Sequence, residues 1–295
     1  MRVAITGASG LIGRALTTHL GECGHNVVPL VRRAAATDEI RWDPETGAIG
    51  PLAGVDAVVH LAAAGIGDKR WTDDYKRQIR ESRTNGTRII SEAVATAPGG
   101  PRVLLSASAI GIYGASETAE FDETSPPGDG FLAEVCKEWE AATAPAEQAG
   151  ARVVHLRTGI VLSPDGGALK KQLPLFRAGL GGKFGDGSAW QSWISIDDEV
   201  AAIAYLLESE VSGPVNLTAP NPVTQGQFVA ALGDTLHRPT FMRVPSFAPK
   251  LVLGSELVDN LLFSGQKVLP RVLLEHGYEF RHVELPAALS DLLGK

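Results

Sequence analysis

Thr6-Gly7-Ala8-Ser9-Gly10-Leu11-Ile12-Gly13 is the stretch that decides the fold. Ahead of it, Arg2 to Thr6 is an apolar, β-branched run that reads as a strand. Behind it, Leu11, Ile12, Ala15, Leu16 and Leu20 recur at helical spacing, and the pattern ends near Gly24. Gly7, Gly10 and Gly13 stand three apart, so the chain turns tightly and lets the helix lie close to the strand. A helix that begins at such a turn offers free N–H groups and a partial positive charge to an anion. Strand, glycine turn and helix in this order are the signature of a dinucleotide site that cradles a pyrophosphate. Thr6, Gly7, Ser9, Gly10, Leu11, Ile12 and Gly13 are its candidate contacts.

Outward from the turn, the first half alternates apolar strands with longer helical patterns. Strands are expected at Asn26–Val31, Ala57–Leu61, Arg102–Ser106 and Arg152–Arg157. Helices are expected over Thr72–Ala97 and Phe131–Gly150. Strands that are apolar without alternation belong to a parallel sheet covered on both faces. The fold class is therefore α/β, a doubly wound parallel sheet with right-handed crossovers. After Gly159 the pattern changes. Ser163–Gly187 reads as loop, helix and loop, Trp193–Glu208 as strand then helix, and Pro214–Thr218 as a strand. Gln225–Leu236 reads as a helix, and the tail from Val244 as mostly helical. The expected division is a cofactor domain over residues 1–162, which also receives strands near 193–220, and a smaller interleaved lobe over 163–295.

The end of the second strand chooses the cofactor. A site for NAD commonly places Asp or Glu there, roughly 20 residues after the glycines, to hold the ribose 2′-hydroxyl. Here the strand ends in Arg32-Arg33, and guanidinium groups grip a 2′-phosphate that an acid would repel. The expectation is NADP(H) in preference to NAD(H). Asp38 and Glu39 come too late in the chain for the ribose role.

Composition narrows the function classes. The chain has 295 residues, 44% of them apolar and 21% charged, which are ordinary globular values. A net charge of −7 argues against binding a phosphate backbone, so no nucleic-acid partner is expected. Cys23 and Cys136 stand alone, with no CxxC and no metal spacing, so neither a disulfide framework nor a metal site is expected. No apolar stretch approaches the roughly 18 residues of a membrane span, and the chain enters its first strand without a leader. A cytoplasmic protein with no membrane partner is expected.

On these residues the sequence resembles the short-chain dehydrogenase/reductase superfamily, extended type. The resemblance rests on Thr6–Gly13, Asp56–Ala64, Ser106-Ala107-Ser108 and Ile112-Tyr113-Gly114. Lys69-Arg70-Trp71, Glu81-Ser82-Arg83, Cys136–Glu140, Trp193–Asp198, Asn216–Val223 and the tail Gly265–Leu293 sharpen it to an atypical "epimerase family" subgroup. That subgroup ends in a domain of unknown function. The resemblance implies that Leu61, Ala62 and Ala63 border the cofactor. Typical members exchange a proton through a Tyr whose pKa is lowered by a Lys four residues later. Here Ile79, Glu117, Ser209 and His282 follow Tyr75, Tyr113, Tyr205 and Tyr278 at that spacing, so the pair is absent. Leu132 and Cys136 occupy its two positions. Gln191-Ser192 stands where sugar-nucleotide epimerases carry an Arg, so a nucleotide-sugar substrate is not expected.

Ser108 and Tyr113 are the catalytic candidates that remain. Lys69, Arg70, Trp71 and Trp193 are the candidate substrate contacts, and Arg83 is expected to reach the same cleft. Gly179–Gly187 reads as a flap, His60 as a core histidine, Asp197-Asp198 as a helix cap, and Lys267 and Arg271 as solvated cations one helical turn apart. Three functions fit: an NADP(H)-dependent oxidoreductase or epimerase acting on a small molecule through a non-standard proton donor, a non-catalytic NADP(H)-binding redox sensor or interaction module, or a scaffold in which the cofactor is only structural. The resemblance implies a homodimer as the assembly to test.

Overall fold

The computed structural model describes residues 1–245, 247, 250–251 and 254–295. Its centre is a sheet of seven strands: β1 (Arg2–Thr6), β2 (Asn26–Val31), β3 (Ile40–Arg41), β4 (Ala57–His60), β5 (Val103–Ala109), β6 (Arg152–Thr158) and β7 (Gly213–Leu217). Their spatial order is β7-β6-β5-β4-β1-β2-β3, and every pairing is parallel. The helices are α1 (Leu11–Glu22), α2 (Asp73–Thr96), α3 (Phe131–Ala141), α4 (Ala144–Gln148), α5 (Gly167–Arg177), α6 (Ile196–Glu208), α7 (Gln225–Leu236), α8 (Ser255–Leu261), α9 (Arg271–Glu275) and α10 (Leu285–Leu292).

Helix starts follow the sequence. The Thr72 hydroxyl accepts from Tyr75 N, and Asp73 and Asp74 fill the first turn of α2. Ser195 caps α6 in the same way, and Thr224 with Gln227 forms a capping box on α7. Two expectations change. Strand β3 is two residues long, too short for any periodicity to reveal. Lys267 lies on a strand, Lys267–Val268, which pairs with Glu120–Phe121, and not on a helix with Arg271. The expected helical tail from Val244 includes residues 246, 248–249 and 252–253, which lie outside the described ones. Among the described residues no helix is long and apolar enough to cross a membrane.

Each face of the sheet has its own core. On one face Leu16 and Leu20 of α1 meet Ile203, Leu206 and Leu207 of α6 over Ile5, Val59 and Leu156. On the other face Ile90 and Val94 of α2 and Ala146 of α4 cover Val58, Leu104 and Val153. A third core, away from the sheet, joins Leu169 and Phe176 of α5, Trp193, and Phe228 and Leu232 of α7.

The C-terminal segment runs like a strap across these cores. Leu257 and Val258 of α8 pack against Trp71, Tyr75 and Val135. Val268 packs against Ile112 and Tyr113, Leu273 of α9 enters the α1/α6 core, and Leu285 and Leu289 of α10 enter the third core. Full burial of each such side chain contributes roughly 1.5–3 kcal/mol.

Polar bonds fix the strap's register. Asp198, 1% exposed at the start of α6, accepts from the backbone N–H of Arg281 at 2.8 Å and of His282 at 2.9 Å. It also accepts from the Ser195 hydroxyl at 2.8 Å. Asp198→Ala is expected to cost about 3 kcal/mol, because several buried donors lose a charged acceptor together. Urea unfolding measures it, and a loss below about 1 kcal/mol would contradict the clasp role.

Candidate functional site

The glycine turn leaves no room for side chains. Gly7 has φ +69°, and a Cβ there would sit 3.1 Å from Ala62 N. A Cβ on Gly13 would lie 2.1 Å from the Gly7 carbonyl oxygen, a contact no side chain survives. Gly10 N donates back to Gly7 O at 2.9 Å and closes the turn. Helix α1 then begins with no side-chain cap and no acidic residue in its first turn. Its first N–H groups and the positive end of its dipole are therefore offered outward. Ser9 is exposed, while Leu11 lies against Gly166 in the loop before α5.

The neighbouring strand end is fixed by one hydroxyl. Thr6 Oγ1 accepts from Leu61 N at 3.0 Å and Ala62 N at 3.2 Å, which uses both of its lone pairs. Its own proton therefore goes to His60 Nδ1, 2.7 Å away, and the ring proton of His60 sits on Nε2. Burial drives the His60 pKa down to about 4, so the ring is neutral. His60 is a structural residue, with its ring edge-on to Trp42. Together these bonds hold Leu61, Ala62 and Ala63 beside Gly7.

The two arginines after β2 separate in role. Arg33 makes a two-pronged bond to Glu39, at 2.6 and 2.5 Å, and Glu39 also accepts from Ala36 N. These bonds raise the Arg33 pKa and lower that of Glu39. Arg32 has no hydrogen-bond or ion-pair partner among the described residues and is exposed. Of the pair, Arg32 is the one available to an anion.

Ser108, Arg157 and Asn216 are register neighbours on β5, β6 and β7, so their side chains share one face. Ser108 Oγ donates to Glu140 Oε1 at 2.7 Å. Arg157 grips the same carboxylate at 2.8 and 2.9 Å and donates to the Tyr113 hydroxyl at 2.9 Å. The Tyr113 hydroxyl donates to Asn216 Oδ1 at 2.7 Å, and its ring stacks on Phe121. Burial alone would raise the Glu140 carboxyl, but the bonds from Arg157 and Ser108 outweigh it and hold it below the ordinary value. Burial pushes the Tyr113 phenol up in spite of Arg157. Ser108 is 4% and Tyr113 3% exposed. Both hydroxyl protons are committed inside this network, and neither is presented to a substrate. Ser108 faces α3 because side chains alternate along β5, and the sequence alone does not tell which face the odd positions take.

Leu132 and Cys136 lie against the Gly111 turn, at the positions where a Tyr–Lys pair would stand. Burial pushes the Cys136 thiol up to about 12, so it is neutral and unreactive. Trp71 and Trp193 are core residues: their indole N–H groups donate to Ile66 O and Asn221 O, and they are 8% and 0% exposed. Neither ring faces a cleft. Lys69 lies over the Tyr75 ring, and the Arg70 side chain lies against Gly254 under the strap. On the flap, Trp190 Nε1 donates to Glu117 O, and Lys267 lies over the Trp190 ring while pairing with Glu120. Arg271 pairs with Glu275 and Asp122. The sequence reading missed the Glu140–Arg157 pair and Asn216. Their only signal is polarity inside apolar patterns, on segments far apart in the chain.

Glu199 was also missed. It is wholly buried on α6 and accepts from Thr158 Oγ1 at 2.9 Å, with Oε2 unpartnered. Burial raises its carboxyl to about 8, so it is protonated at neutral pH.

The NAD dependent epimerase/dehydratase family matches residues 3–218, and a domain of unknown function, DUF1731, matches residues 244–292. The chain is 46% identical over 292 residues to the epimerase family protein Mb2239 of Mycobacterium bovis, covering 98% of this chain and 96% of that protein. It is similar to the crystal structure of the human epimerase family protein SDR39U1 (isoform 2) with NADPH, at 35% identity and TM-score 0.93, each chain covered in full. A Corynebacterium glutamicum structure described as a nucleoside-diphosphate sugar epimerase superposes with TM-score 0.81 at 38% identity, covering all of this chain and 58% of that one.

The buried Glu199 makes a pH prediction. Unfolded, its carboxyl ionises near 4.5; folded, it ionises near 8. The unfolded chain releases the proton first, so this group lowers stability as pH rises from about 4.5 to 8. Glu199→Gln is therefore expected to be more stable than the parent at pH 7.5, by up to about 4 kcal/mol, and to lose that advantage at pH 4.5. Urea unfolding at both pH values measures it. A difference independent of pH would contradict the assignment.

Proposed function

The chain belongs to the NAD dependent epimerase/dehydratase family, and on that premise we propose that it is an NADP(H)-binding oxidoreductase of small carbonyl or alcohol substrates that works without the Tyr–Lys pair. The observation that carries this reading is the side-chain-free cradle at Gly7 and Gly13, with the uncapped start of α1 above it and the unpartnered Arg32 at the end of β2. A pyrophosphate fits the first, and a ribose 2′-phosphate the second. When bound, the nicotinamide supplies hydride transfer.

The chain's own residues divide the remaining work. The N–H groups of Leu11, Ile12 and Gly13 bind the pyrophosphate, and Arg32 binds the 2′-phosphate. The Thr6–His60 pair holds Leu61–Ala63 against the dinucleotide. Arg33 is restrained by Glu39 and contributes less. The Ser108–Glu140–Arg157–Tyr113 network holds β5, β6 and α3 in register and keeps its protons to itself. Solvent or the substrate then supplies the proton that a free Tyr would give. In the same proposal residues 1–162 with β7 form the cofactor part, and 163–295 the substrate lobe of a cytoplasmic, dimeric protein. A second reading, a redox sensor that binds NADP(H) without turnover, draws support from those same committed hydroxyls of Ser108 and Tyr113.

The test is a calorimetric titration with NADPH and NADH. Arg32→Ala is expected to weaken NADPH about tenfold to a hundredfold and leave NADH unchanged, as the loss of a charge-assisted contact predicts. Arg33→Ala is expected to weaken NADPH no more than about threefold, because Glu39 already holds it. Equal NADPH affinity in Arg32→Ala and the parent would contradict the 2′-phosphate assignment. Turnover of a carbonyl panel with NADPH separates the enzyme from the sensor.

A further inference from the structure

Arg83 is a buried cation without a counter-charge. It sits on α2 and is 8% exposed. Its Nη1 donates to the carbonyls of Ala64 and Ile79, each at 3.0 Å, and its guanidinium lies 4.8 Å from the Trp139 ring centroid. Among the described residues no carboxylate lies within ion-pair distance of it. Arg157, by contrast, is neutralised by Glu140. Burial lowers the Arg83 pKa, as expected for a cation stabilised by dipoles alone.

Its remaining nitrogens are not sealed in. Among the described residues Nε and Nη2 make no hydrogen bond, and the enclosed polar atoms left without a partner there are His60 Nε2, Glu123 Oε2 and Glu199 Oε2. Arg83 is 8% exposed, so its free N–H groups border a narrow solvent-accessible space. That space is at the carboxyl edge of the sheet. Ala64 lies just beyond Ala62, which touches Gly7. Trp139 and Cys136 stand on the same face of α3, three residues apart. With the pyrophosphate over Gly10 and the 2′-phosphate toward Arg32, the nicotinamide end of a dinucleotide points the opposite way along the sheet, toward β4, β5 and α3. The charge that a Lys at position 136 would bring to this end comes instead from α2.

We propose that Arg83 sets the redox preference of the site, favouring the neutral reduced nicotinamide over the cationic oxidised one. The inference rests on the cofactor reading above. A charge in a water-poor crevice is weakly screened, so two like charges there repel strongly. A site prefers one ligand form only through such a difference in interaction energy. The unpaired guanidinium is the buried charge at that edge which distinguishes the two forms.

The experiment is a titration of the full chain with NADPH and with NADP+, for the parent, Arg83→Met and Arg83→Lys, with a melting temperature for each. The parent is expected to bind NADPH at least tenfold more tightly than NADP+. Arg83→Met keeps the stem and removes the charge, and is expected to lose about tenfold of that ratio. Arg83→Lys keeps the charge and is expected to retain the ratio within threefold. If Arg83→Met unfolds, Arg83→Gln takes its place under the same criterion. A folded, NADPH-binding, uncharged variant with the parent's ratio would overturn the proposal, as would a parent that binds both forms equally. A parent that binds neither form would overturn the cofactor reading itself.

Discussion

The approach of Gly13 to the carbonyl of Gly7 is the constraint on which the site depends. It brings α1 so close to β1 that no side chain intervenes, and it aims the uncapped end of the helix at the carboxyl edge of the sheet. The Thr6 hydroxyl carries this geometry across to β4, because its two accepted bonds and one donated bond tie Leu61, Ala62 and His60 to the turn. Arg32 at the end of β2 and Arg83, bonded to the carbonyl of Ala64, flank this edge. Under the proposed function, this edge takes an extended anionic ligand with a flat, uncharged end.

The C-terminal segment gives the fold its second organising feature. It leaves α8 against α2 and α3, passes Val268 beside Ile112, sends Leu273 into the α1/α6 core and ends with α10 on α7. A strap that contributes to four separate cores couples the sheet to helices α5 and α7. Asp198 is its clasp, joining the start of α6 to residues more than eighty positions later.

Much of the fold was legible because its signals are local. The glycine spacing and the unalternating strands each act within a few residues of themselves, whereas α6 is capped by Ser195 and not, as expected, by Asp197 or Asp198. The site was legible only in part. Arg33 and Glu39 are six residues apart, and no periodic rule brings them together. Ser108 sits at the edge where a catalytic serine belongs, yet strand alternation turns it toward Glu140, thirty-two residues away. Trp71 and Trp193 have the residue type of a binding site and the burial of a core, a distinction that only tertiary packing makes. Arg83 could be placed near the cleft from its helix, but its lack of a counter-charge is a property of the folded neighbourhood.

Amide hydrogen exchange of the unmodified protein with and without NADPH tests the central claim most directly. NADPH is expected to slow exchange at Gly10–Gly13 and Leu61–Ala64, because the first-turn N–H groups of α1 acquire an acceptor and the adjoining strand end is covered. Protection confined to other segments, or none at saturating NADPH, would contradict the placement of the site at the glycine turn.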